Sequence, residues 1–197
     1  MAQTSTTLIS SKQHLADIGP GTVISFTQNG TEYKMLSGDT DSITFAAIKQ
    51  FDLITITGSS LNNKTFTVKS DATAGEVVFE EATVNETSDG STTMLVNMSG
   101  CVSDKTKGDG YYSQTDGVHT VAYHVDSTFN IDAILKMQGT LAATPTEDDW
   151  FDISNTTPTP DGSTSAFSFN FTGNFVWVRA KCTTMTAGTI TKILLNS

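Results

Sequence analysis

The sequence predicts an all-β protein made of two small antiparallel β domains, the C-terminal one a jelly-roll-like β-sandwich, with an extended N-terminal arm. Three observations predict it. Apolar and polar residues alternate over many short runs, as in Phe167-Ser168-Phe169-Asn170-Phe171, the period of a sheet with one wet side. Val, Ile, Phe, Thr and Tyr dominate the strand-like segments while helix formers are thin, and these side chains fit a pleated, half-buried surface. Gly, Asn and Ser interrupt the runs about every ten residues, the spacing of a small antiparallel β fold. The length of 197 residues accommodates one large sandwich or two small domains, and an apolar fraction of 37% is low for a single globule. Two domains are therefore expected.

Residues 1–18 are polar, with Ser10-Ser11-Lys12-Gln13 and no period that would bury a face. They read as an arm that orders on a neighbour. Residues 19–90 form the first domain. In it Asn29-Gly30 separates two strand-like runs, Val23–Gln28 and Thr31–Leu36, and that dipeptide supplies the positive φ angles of a type I′ hairpin turn. A second hairpin runs from Leu53-Ile54-Thr55-Ile56-Thr57 through Gly58–Asn63 into Lys64–Lys69, with Ile54 and Ile56 sharing one face. A further strand is expected at Glu76–Glu80. The segment Ile43–Ile48 is compatible with a single helical turn and is left open.

Residues 91–197 form the second domain. Met94–Met98 reads as a strand, and the Gly-, Ser-, Asp- and Lys-rich stretch 100–118 as an exposed loop or linker. Strands follow at Val118–Val125, Phe129–Gln138, Phe167–Phe171, Phe175–Cys182 and Thr189–Leu195. Val121, Tyr123 and Val125 share a face, and so do Ile131, Ala133, Leu135 and Met137. The run Phe175-Val176-Trp177-Val178-Arg179-Ala180 is apolar on both faces, the mark of a central strand or of one covered by a partner chain.

A net charge of −10 and a pI of 4.5 argue against nucleic acid as a partner, because phosphate binding needs clustered Lys and Arg. Arg179 is the only arginine. No stretch approaches the roughly 20 apolar residues of a membrane span, and Met1–Ser5 lacks the basic start of a signal peptide. Synthesis in a cytoplasm, with no membrane partner, is the expectation. Cys101 and Cys182 then read as buried thiols more readily than as a disulfide.

No constellation in the chain calls for catalysis or a cofactor. His119 and His124, five apart, fall on opposite faces of a strand and cannot share a metal, so each reads as a surface or interface histidine. Glu147-Asp148-Asp149 and the pair Asp39 and Asp41 are acidic loops that calcium could use, but without the spacing of a defined calcium loop. No serine sits in a nucleophile elbow and no glycine loop is built for phosphate. No catalytic, cofactor or metal residue is assigned, and the chain is expected not to be an enzyme. Candidate interface residues are Trp150, Trp177, Arg179, Tyr111 and Tyr112. Arg179 could stack on Trp177 or fork to an acidic partner, with an ion pair inside the domain as the preferred account.

Two stretches resemble virion structural proteins of tailed bacteriophages, of the marine and cyanophage type. The first is Phe51–Ser59 through Asn62-Asn63-Lys64-Thr65-Phe66-Thr67-Val68. The second runs from His124 to Leu195 and includes Leu135–Thr140, Asp149-Trp150-Phe151-Asp152-Ile153, Gly173–Ala180 and Gly188-Thr189-Ile190. The resemblance implies a β-sandwich decoration, neck or tail accessory protein located in the virion. Its partners would be the major capsid protein or other virion proteins, and a homo-oligomer, with a trimer favoured. A tail or neck adaptor, a host-recognition protein and a carbohydrate-binding module are the alternatives. In the last, Trp150, Trp177, Tyr111 and Tyr112 would offer a sugar platform.

Overall fold

Alternation at period two becomes strands throughout the computed structural model, which describes residues 5–109, 117–163 and 165–196. In chain order the strands are β1 (Ser5–Ile9), β2 (Lys12–Gln13), β3 (Ile18–Gly21), β4 (Ile24–Asn29), β5 (Glu32–Ser37), β6 (Asp52–Thr57), β7 (Thr65–Thr67) and β8 (Glu76–Phe79). They continue with β9 (Met94–Val102), β10 (Thr106–Lys107), β11 (Val118–Val125), β12 (Ile134–Thr140), β13 (Phe151–Asp152), β14 (Ala166–Thr172), β15 (Trp177–Thr183) and β16 (Thr189–Asn196). The chain is all-β and divides into two compact units, one of residues 15–101, the other joining the first 14 residues to 102–197.

The unit of residues 15–101 has two small antiparallel sheets, β3-β9-β6-β7 and β4-β5-β8. Its core is a file of aromatic rings: Phe66 stacks on Phe79 at 4.5 Å and lies 6.3 Å from Phe26. Ile24, Met35, Ile54, Ile56, Val77, Met94 and Val96 surround them, all buried. The undecided segment Ile43–Ile48 is neither helix nor strand. Its Phe45 and Ile48 are fully buried, so it plugs the core as irregular chain. The first hairpin pairs Asn29 with Glu32, which leaves Gly30 and Thr31 as the turn, with φ of +62° at Gly30 alone of the two. That is the Gly-first pattern of a type II′ turn rather than the Asn-Gly type I′ turn expected.

The other unit is a β-sandwich with eight principal strands: β1, β10, β11, β12, β13, β14, β15 and β16. One sheet has the order β1-β16-β11-β14, with β2 extending the pairing on β16. The second has the order β10-β15-β12-β13. Counted within the unit, these orders are first-eighth-third-sixth and second-seventh-fourth-fifth, the interlocked Greek keys of a jelly roll. Inward residues alternate as patterning requires: Val121 and Tyr123 on β11, Leu135 and Met137 on β12, Val178, Ala180 and Cys182 on β15, and Ile193 and Leu195 on β16 are all buried. Cys101 and Cys182 are both buried thiols.

Four boundaries differ from those expected. Residues 5–9 and 12–13 are extended, but they pair with β16 and so build the sandwich instead of standing apart as an arm. The inserted unit ends at 101 rather than 90, because β9 pairs with β6 along its length. Within 100–118, Ser103 and Asp109 are buried and the short strand β10 pairs with β15, so residues 103–109 run along the sandwich and are not a wholly exposed loop, while 110–116 lie outside the described residues. Gly108 is needed there because a Cβ would lie 2.5 Å from the Phe175 carbonyl oxygen. β12 also begins five residues later than expected, and Ile131, placed in the strand by alternation, is in a turn and 62% exposed.

Candidate functional site

The outward side of β12 and β15 carries the polar residues that alternation assigns away from the core. Arg179 is 4% exposed there. Its Nη1 and Nη2 donate to the two oxygens of Glu147 at 2.7 and 2.8 Å, its Nε donates to Gln138 Oε1 at 2.9 Å, and its guanidinium lies 4.2 Å from the Trp150 ring centre. A planar fork suits this bidentate, stacked geometry, which Lys could not reproduce. Gln138 passes the network on by donating to Asp152 at 2.8 Å, and Lys136 donates to the other Asp152 oxygen at 2.6 Å. Burial pushes the Asp152 carboxyl up, but the hydrogen bonds from Lys136 and Gln138 outweigh it and hold the group below its ordinary value. Burial, reinforced by the positive Arg179, lowers Lys181.

The turn that delivers Glu147 is a single 3-10 turn, Glu147–Asp149. The Thr146 backbone N–H and hydroxyl both donate to Asp149 Oδ2, at 2.7 and 2.8 Å, and these bonds keep the Asp149 carboxyl low. The acidic triplet is thus divided between a capping residue and an arginine partner. Among the described residues no group of three or more His, Cys, Asp or Glu is placed to hold a metal ion. Asp39, in the other acidic loop, accepts from the Ser42 hydroxyl at 2.8 Å and from the Asp41 amide at 3.1 Å.

The sequence-predicted interface residues have separate fates. Arg179 is in the intradomain ion pair, and it stacks on Trp150 instead of Trp177. Trp177 is half-buried, donates from Nε1 to the Ala143 carbonyl at 3.0 Å and carries Lys105 Nζ 5.1 Å above its ring. Tyr111 and Tyr112 lie outside the described residues. His124 is half-buried, whereas His119 is fully buried, stacked on Phe171 at 4.9 Å with Nε2 3.2 Å from the Gly173 carbonyl. The expectation of a surface or interface histidine at 119 fails because His119 shares the inward, buried face of Val121, Tyr123 and Val125, a period already visible in the sequence.

Sequence reasoning missed the edge between β13 and β14, the sixth strand of the jelly roll. A cleft of about 490 Å³ opens there, lined by Phe151, Asp152 and Asn155 on one side and by Asn170, Phe171 and Thr172 on the other, with Phe175 contributing. The Phe175 ring packs directly against Gly139, where a Cβ would lie 2.6 Å from it. Only pairing reveals this cleft, because its two walls come from segments joined by a long connection. Among the described residues no helix is long and apolar enough to cross a membrane.

Compared with known proteins, the chain matches no family model and no curated protein.

Proposed function

We propose that the chain is a structural protein of a bacteriophage particle, a capsid decoration protein that binds the shell and neighbouring copies of itself. The observation that carries this reading is the eight-strand jelly-roll order with a second β unit inserted between its first and second strands. Jelly rolls serve as particle-building modules in viruses, among other uses. The resemblance of His124–Leu195 to phage β-sandwich proteins points the same way. The most distinctive polar group supports it too: the Arg179 guanidinium is consumed by Glu147 and Gln138, an arrangement that stabilises a scaffold. The acidic charge favours a neutral or basic protein surface as the partner.

The test is mass spectrometry and imaging of purified particles. The chain should be present in many copies distributed over the shell. Absence from the particles ends the proposal, and density confined to the neck or tail ends the decoration assignment.

A further inference from the structure

We infer that β14 is a self-pairing edge, through which two copies of this chain join their sandwiches as a two-fold antiparallel pair. The inference rests on strand geometry and stands apart from the particle reading.

Among the described residues β14 is the last strand of its sheet, bonded to β11 alone. The Val125 amide donates to the Ser165 carbonyl and the Gly173 amide to the Gly117 carbonyl, so odd-numbered residues turn their backbone groups toward β11. In an antiparallel ladder the alternate residues then point theirs the other way. Those residues are Ala166, Ser168, Asn170 and Thr172, all exposed, and among the described residues their backbone groups bond to nothing. An edge of this kind is a template for another extended chain.

The other ends of the two sheets are blunted. β10 and β13 are two residues long, and β1 carries an irregularity between Thr7 and Ile9. β14 has seven residues in unbroken register, with no proline and no charge. From Gly162 to Val178 no residue is charged in a chain of net charge −10. A basic partner would find no anchor on this strand, whereas a second copy meets no repulsion at the contact.

The alternation is also self-complementary. Centring the two-fold axis on Phe169 sets Ser168 against Asn170 and Ala166 against Thr172 as hydrogen-bonded pairs. It brings Phe167, Phe169 and Phe171 of both copies onto one face, where aromatic cross-strand pairs are favourable. Phe167 and Phe169 are only half-covered in the single chain. The cleft beside Asn170–Thr172, walled by Phe151 and Phe171, then receives Phe167 of the second copy. The contact is isologous and gives a dimer in place of the trimer favoured from sequence.

The experiment compares wild type with Ser168→Pro and Ser168→Lys by sedimentation equilibrium across micromolar to millimolar concentrations. Proline at 168 removes an outward N–H and leaves the bonds to β11 intact, as an edge position permits. Two symmetry-related hydrogen bonds are lost, so self-association should weaken about thirtyfold. Lysine at 168 should weaken it as well. Both variants should keep the wild-type β circular dichroism spectrum and melting profile at low concentration. In wild type, the Ser168 and Asn170 amides should exchange slowly in the dimer and quickly on dilution. A monomer at millimolar concentration, or a dimer that both variants leave unchanged, overturns the inference.

Discussion

At the residue scale, the ion pair of Arg179 and Glu147 is the most consequential side-chain contact in the sandwich. Desolvating a charge is tolerable only when hydrogen bonds replace the lost water, and removing one partner leaves the other stranded. Glu147→Gln should therefore lower unfolding stability by about 2 kcal/mol, the scale of hydrogen bonds to a charged group, read as a fall in the urea midpoint. A shift under roughly 0.5 kcal/mol, as for an ordinary surface substitution, would mean the pair contributes little. Arg179 was legible as the only arginine, and an ion pair inside the domain was the preferred account. Its stacking partner was not legible, because β15 pairs with β12 while Trp150 arrives from the turn after β12. His119 was legible by period and was misjudged by residue type.

At the element scale, the loop after β6 shows how a turn is fixed by a residue far along the chain. The Glu86 carboxylate accepts from the Ser59 hydroxyl at 2.5 Å, the Ser60 amide at 2.8 Å and the Asn62 side-chain amide at 2.9 Å. Asn62, almost fully buried, adds two bonds to the Val84 backbone. Burial pushes Glu86 up, but the Ser59, Ser60 and Asn62 donors prevail and its net shift is downward. A carboxylate depressed in the folded state stabilises above its unfolded value of about 4.5 and loses that contribution as the pH falls through the folded value. Glu86→Gln should therefore be destabilising at neutral pH, and its difference from wild type should shrink steadily below pH 4.5. Denaturant titrations at several pH values would show it, and a difference independent of pH would refute the assignment. The strands of this region were readable from alternation. The loop geometry was not, since its anchor lies 24 to 27 residues away.

At the scale of the whole molecule, the chain leaves one fold to build another and returns. Both tryptophans, Trp150 and Trp177, lie in the sandwich unit, so their fluorescence should follow that unit alone while far-ultraviolet circular dichroism follows both. Each unit has its own core, and thermal melts by the two probes are expected to have different midpoints. Coincident curves would show that the units unfold as one cooperative system. By itself the sequence determined the fold class, most strand positions and the inward faces, because these depend on local propensity and period. Tertiary structure alone decided that residues 5–9 and 12–13 complete a sandwich built mostly from residues after 101, that 103–109 run along β15 through the two-residue strand β10, and that β14, among the described residues, ends its sheet with one side open. Strand order and edges depend on hydrogen bonds between segments far apart in the chain, and no local pattern records which partner each strand finds.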